Sequence, residues 1–266
     1  MTKGMTASAG SDVRSATAGL PARADRRGRS GGSPPRENAL LAALRTVRDP
    51  ELDEPITSLG FVTLCTVSGD GDAQVRLRLP TYFCAPNFAY LMVADAYDAV
   101  TAVPGVRQAE IVLEDHFASD VINDGVAAQA GFVASFDGEA VSELDGLRAD
   151  FLRKAVLAGT DQVCRPLLTA GTEPAALLEL TLGDVAPSAA LARLRERRAE
   201  LGLAAGDDAP LVIDPATGER VSADAAPLHL RKAQVTRTSL EANGSICRGM
   251  LRHRYDSPGL NEEEQQ

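Results

Sequence analysis

Tryptophan is absent from the 266 residues, and histidine occurs only three times, cysteine and methionine four times each. Three widely separated histidines exclude a three-histidine zinc centre, and the chain carries neither a phosphate-cradling P-loop nor the Gly-x-Ser-x-Gly elbow of serine hydrolases. The cysteines, Cys65, Cys84, Cys164 and Cys247, are dispersed without a CxxC pair. That pattern fits reduced thiols in a cytoplasm, not a disulfide framework. No apolar run approaches the roughly 20 residues that span a bilayer, and the amino terminus lacks the continuous apolar core of a secretory signal. The expectation is a cytoplasmic protein that engages no membrane.

With 44% hydrophobic residues the chain can bury a core, and its length suits one domain with additions or two small domains. The Ala, Arg and Gly bias points to a GC-rich bacterial genome. The net charge of −10 is unevenly spread. Residues 1–36 hold seven basic and two acidic side chains, 228–254 six and one, and 255–266 four acids, so 37–227 carry about −16. An acidic body opposes phosphate, so nucleic acid is not expected as a ligand. The basic carboxy-terminal stretch can meet an acidic partner surface or fold back on its own acidic body.

Residues 1–36, rich in Ser, Gly, Ala, Pro and Arg, are expected to be disordered. Asn38 to Val47 has helical apolar spacing, ended by Asp49-Pro50 because the residue before proline is pushed out of the α region. Phe61–Val67 and Gln74–Leu79 alternate as strands around a tight Ser68–Asp72 turn. An irregular loop from Tyr82 to Phe88 holds Cys84, a helix follows over Ala89–Val103, and Pro104-Gly105 leads into a strand over Val106–Leu113. The order α-β-β-α-β predicts an α+β fold, a small two-layer domain with helical and hairpin additions and disordered termini.

Asp49-Pro50-Glu51, Ile56, Leu59-Gly60, Thr81, Cys84, Pro86 and Pro104-Gly105-Val106 stand in an order that resembles the iron-sulfur cluster assembly domain of the SufT and PaaD type. The resemblance covers about residues 37–116, within a domain expected over 37–118. It implies a metal-centre maturation factor in which one loop cysteine, here Cys84, acts beside a carboxylate, here Glu51 with Asp49 near it. One departure bears on that loop: the family has cysteine directly before proline, whereas Ala85 intervenes here and Tyr82-Phe83 replace smaller residues.

A loop thiolate before a helix can ligate iron, its pKa lowered by the helix N-terminus. A lone cysteine is also often a small buried hydrophobe. One thiol cannot hold a cluster, so a homodimer or partner ligands would be needed, and the expected cofactor is none held stably, or transient iron or an iron-sulfur cluster. Asp49, Glu51, Asp53 and Glu54 could meet a hard cation in passage, although Asp49 equally suits capping of backbone N–H groups. Glu114-Asp115-His116 lacks the Glu-x-x-His spacing of di-iron bundles. Asp120–Gly125 lacks the later ligands of a calcium loop and reads as a turn.

Beyond the assembly-like domain, 119–186 read as a helical extension, with helices over 117–133 and Leu144–Leu157 and a strand over Leu177–Leu182. Residues 187–227 read as a helix from Ala189 to Leu203, capped by Ser188, plus a hairpin over Leu211–Ser222. Residues 228–266 read as an extended basic arm that orders on a partner. Thr81, Tyr82, Phe83, Arg231, Lys232, Arg237 and Arg248 are the candidate partner contacts. The resulting expectation is no enzyme but an accessory factor for a metalloenzyme client, a di-iron monooxygenase component or an iron-sulfur protein. The alternative is a scaffold that uses the same fold without metal.

Overall fold

The apolar spacing of the first half folds as predicted. The computed structural model of the chain describes residues 35–136, 140 and 142–256. The tail expected to be disordered lies, up to residue 34, outside the described residues, as do 257–266. Helix α1 (Pro35–Leu44) turns Leu40 and Leu44 fully inward. The one-turn α2 (Ile56–Leu59) ends on Gly60, whose φ of 80° is left-handed, a conformation that glycine adopts without strain. Strands β1 (Val62–Val67) and β2 (Asp72–Arg78) form the antiparallel hairpin, with a bulge at Thr63 between Val62 and Leu64. Gly71 in its turn is required, because φ is 92° and a Cβ would lie 2.4 Å from the Gly105 carbonyl oxygen.

Helix α3 (Pro86–Thr101), with proline in its first turn, makes the crossover to β3 (Gln108–Glu114), which pairs parallel to β2. The sheet order is β1-β2-β3. Its inner face, Val75, Leu77, Ile111 and Leu113, packs on α1, α3 and α4 (Ser119–Ala127) as one core. Helix α4 contains the whole of Asp120–Gly125, so the turn expected there is helical. The short α5 (Phe132–Ser135) completes this layer.

A second core gathers Val156, Val163, Leu177, Leu182, Leu194 and Leu211 between α6 (Asp145–Thr169) and α7 (Ala189–Glu200). Helix α6 runs well past the predicted Leu157 and continues through Pro166, which costs only one internal hydrogen bond near its end. Ser188 caps α7 as expected, its Oγ accepting from the Leu191 amide at 3.1 Å. The strand expected over Leu177–Leu182 is instead two 3-10 turns, Ala176–Leu178 and Leu182–Asp184. Those leucines enter the core without a neighbouring strand; only one bridge, Thr181 to Pro210, forms there. The hairpin expected over Leu211–Ser222 is likewise reduced to one bridge, Ile213 to Arg220.

The largest correction concerns the carboxy-terminal arm. Residues Ala226–Asp256 form one 31-residue helix, α8, that packs along α6. Buried small residues, Ala155 and Ala158 on α6 and Ala233 on α8, go with this packing, while Gly159 on α6 makes room for Leu194 of α7 and Gly244 on α8 for Glu54. Arg237 is buried in the seam, donating from Nε to Asp161 Oδ2 at 2.6 Å and from Nη1 to Glu241. Arg248 reaches Glu54, and Arg254 donates to the carbonyl oxygens of Leu79 and Asp115. Of the two fates open to the basic stretch, folding back on the acidic body is the one realised.

Arg237→Ala is expected to lower stability to urea by on the order of 2–4 kcal/mol, because Asp161 would stay buried without its cation. The double variant Arg237→Leu/Asp161→Leu should recover most of that loss. An equal loss in both would show that the pair does not dock α8.

Candidate functional site

The ends of β2 and β3 open into the two segments that make the site. After β2, Leu79 and Pro80 are buried and the chain then turns outward through Thr81, Tyr82 and Phe83 to Cys84, directly before α3. After β3, Asp115 takes a left-handed φ of 56° and swings His116 and Phe117 against that loop. The Phe117 amide donates to the Tyr82 carbonyl at 3.1 Å. His116 is buried and joins the two segments: its Nε2 lies 2.7 Å from the Cys84 carbonyl oxygen, and its Nδ1 accepts from the Ala118 amide at 3.2 Å. With Nδ1 accepting, the proton belongs on Nε2, which donates to Cys84. Burial lowers the His116 pKa, reinforced by Arg254, although the Cys84 carbonyl pulls it up; the imidazole is held neutral.

The Cys84 thiol is half-buried, with Sγ 3.3 Å from Thr81 Oγ1. Around it the surface is aromatic. Phe83 is 76% exposed, its ring centroid 5.0 Å from Tyr82 and 5.9 Å from Phe117, both also exposed. Beyond Phe117 an open cleft of ≈ 870 Å³ is lined by Pro86, Asn87, Val121, Phe132 and Leu147. Thr81, Tyr82 and Phe83 thus gather around Cys84.

The carboxylate loop is divided among several tasks. Asp49 is buried, and its Oδ1 accepts from the amides of Glu51 and Leu52, both at 2.9 Å. Burial pushes its pKa up to about 6, against those two amide bonds. Asp53, with φ at 52°, accepts from Arg197 Nε at 2.6 Å, and Glu54 is held by Arg248. Glu51 alone of the four is exposed. Three of the four carboxylates are therefore committed to the fold, which withdraws the hard-cation option for the group as a whole. Among the described residues no cluster of three or more His, Cys, Asp or Glu side chains has metal-holding geometry.

Two residues outside the sequence-derived set belong to the site. His116, set aside for its spacing, fixes the cysteine loop. Cys247 on α8 packs on the same core as Cys84; burial pushes its pKa up to about 11, and Asp49, Cys84 and Glu51 add to the rise. Its sequence context gave no sign of this, because the basic stretch lacked a recognisable helix period. Of the arginines expected to bind a partner, Arg237 and Arg248 are instead spent on Asp161 and Glu54, whereas Arg231 and Lys232 are exposed.

Against known proteins, residues 37–111 match the family model described as "Iron-sulfur cluster assembly protein". An iron-sulfur cluster carrier protein of Deinococcus radiodurans is 43% identical over 74 residues, 28% of this chain and 20% of that protein. An uncharacterized protein of Methanocaldococcus jannaschii is 29% identical over 85 residues, 32% of this chain and 87% of its own length. A crystal structure of a domain of unknown function from Bacillus anthracis is 28% identical, with a TM-score of 0.28, covering 36% of this chain and 90% of that one. The chain thus spans a fifth of the cluster carrier. The segment from α1 into β3 is thus similar to iron-sulfur cluster assembly proteins, and it carries Asp49, Glu51 and Cys84.

At neutral pH, Asp49→Asn should be at least as stable as the wild type, because Oδ1 still accepts both amides while the buried charge is gone. Asp49→Ala should lose about 1–3 kcal/mol. A carboxyl whose folded pKa is raised stabilises at low pH and loses that contribution as pH rises from 3.8 through about 6. The advantage of Asp49→Asn over the wild type in urea titrations should therefore grow from pH 4 to 7; a constant difference would disprove the buried charge.

His116 has the opposite sign. Its folded pKa lies below the ordinary 6.5, so its contribution is complete above 6.5 and is lost as pH falls toward the folded value. His116→Phe should flatten this part of the profile. At pH 8 it should also speed alkylation of Cys84 several-fold, read by peptide mass spectrometry.

Proposed function

We propose that this protein is a non-catalytic accessory factor that assists maturation of a metalloenzyme, with Cys84 as the thiol that meets iron or a cluster edge in transit. The observation that supports this best is a half-exposed cysteine in the loop of an iron-sulfur cluster assembly domain, ringed by exposed Tyr82, Phe83 and Phe117. A partner protein can cover those rings while its own ligands approach the thiol. Glu51, exposed and without a structural task, is the carboxylate we assign beside Cys84, and Asp49 serves to shape that turn. The metal is cargo, held transiently, with the remaining ligands supplied by the client or by a second copy. We further assign residues 37–118 to the assembly domain, the rest being additions that suit one dedicated client. That client is an iron-sulfur protein or a di-iron monooxygenase component, met in the cytoplasm.

A second reading has its own support. Replacement of small residues by Tyr82 and Phe83, with Ala85 between Cys84 and Pro86, makes the loop an apolar contact surface, which suits a scaffold that handles no metal.

Iron and acid-labile sulfide, measured on protein purified without oxygen, separate the two. Iron, with or without sulfide, that is present in the wild type and falls at least fivefold in Cys84→Ala is expected for transfer through this thiol. Equal metal in both, or none in either after incubation with ferrous iron and sulfide, would overturn it in favour of the scaffold.

A further inference from the structure

Helix α8 spends one side on the body of the protein and leaves the other uncovered. Ala233, Arg237, Gly244 and Leu251 face inward. At about 100° per residue, Leu228, Val235, Ala242, Ile246 and Met250 fall within a single narrow stripe on the opposite side. The large members are far more open than isolated surface apolar residues need to be: Leu228 is 73%, Val235 55%, Ile246 58% and Met250 42% exposed. The stripe runs for most of a helix of about 46 Å, at 1.5 Å per residue. Between the apolar positions stand Ser239 and Gly249, small enough for another helix to lie close.

The charge along the stripe is of one sign. Arg231 and Lys232 flank it near its start, both exposed, and among the described residues neither forms an ion pair. Helix α8 holds six Arg and Lys against two carboxylates, and one of these, Glu241, is held by Arg237. Two parallel copies of this surface repel one another, because Arg231 and Lys232 of one fall on those of the other. An anionic bilayer would have to accept the acidic body of a protein of net charge −10 at the same time.

We propose that the outward stripe of α8 is a docking surface for an acidic amphipathic helix of a partner protein, whose apolar face covers Val235, Ile246 and Met250 and whose carboxylates pair with Arg231 and Lys232. The surface lies on a different side of α8 from Cys247, so it is a second point of attachment, independent of metal handling at Cys84. Helix-in-groove recognition of this kind draws its affinity from the apolar anchors and its orientation from the charges at one end.

The probe is a pair of fluorescein-labelled 28-residue helical peptides with leucine along one face, flanked by glutamate in one and lysine in the other. Fluorescence anisotropy with the full-length protein should show saturable binding of the glutamate peptide and at least tenfold weaker binding of the lysine peptide. Ile246→Glu, and separately Arg231→Glu/Lys232→Glu, should each weaken the glutamate peptide at least tenfold. Both sites are exposed, so the variants should keep the wild-type circular dichroism and melting temperature; a melted variant is replaced by Val235→Ser. Equal binding of both peptides, no binding, or binding indifferent to the variants would overturn the proposal. So would concentration-dependent dimerisation in sedimentation velocity that Ile246→Glu abolishes, which would give the face to a second copy. Co-sedimentation with phosphatidylserine-containing vesicles, lost in the same variant, would give it to a membrane.

Discussion

The seam between α6 and α8 is closed by a guanidinium and a carboxylate that water scarcely reaches. Arg237 carries five donors in a planar fork, and Asp161 and Glu241 take up its charge from two directions. A cation buried this way is costly to desolvate, and the pairing recovers that cost only while the two helices remain in register. Register of α8 is what delivers Arg248 to Glu54, Arg254 to Asp115 and Cys247 to the loop of Cys84 and Glu51. Displacing α8 would leave three acidic groups without their cations and would uncover the back of the cysteine loop. The uneven distribution of charge along the sequence is, in the fold, an internal complementarity between an acidic body and a basic helix.

The same logic binds the assembly domain to the rest. Asp95 on α3 receives a two-pronged contact from Arg148 on α6, at 2.7 and 2.8 Å, and Asp53 receives Arg197 from α7. The additions therefore grip the domain at its helix and at its carboxylate loop. The outer face of the sheet, with Gln74 bonded to Glu110 and Arg76 and Arg78 both on Glu114, is partly exposed, and Tyr255 of α8 lies against Arg78. Asp53 and Glu54 of the domain's carboxylate cluster serve as anchor points for Arg197 and Arg248. Only Glu51 and the cysteine loop retain the freedom that transfer chemistry or partner contact requires.

How far the sequence could be read depended on how local the determining physics was. Period-two alternation in 61–67 and 74–79, and the glycine at 71 with no room for a Cβ, made the hairpin legible. The ordered residues from Asp49 to Val106 made the domain and Cys84 legible through resemblance. The apolar run 177–182 was misread because alternation is ambiguous without a neighbouring strand, and burial in a 3-10 turn satisfies it equally well. Helix α8 is not legible in the sequence because its inward face is built from Ala233, Arg237 and Gly244 and its outward face carries apolar residues of its own, so no single hydrophobic period marks it. His116 and Cys247 could be placed only once tertiary structure had brought residues 116 and 247 to residue 84.

The contact between Arg248 and Glu54 joins residues 194 apart in the chain. The fully buried residues of the first core, by contrast, all lie before residue 127. A ribosome adds residues in order and at a finite pace, so the first domain can condense while α8 is still being made. During that interval Glu54 has no arginine and Gly60 has no Leu251 against it. The nascent protein thus passes through a form in which the carboxylate loop is more accessible than it will be again. The time taken to add residues 127–256 sets how long that form lasts.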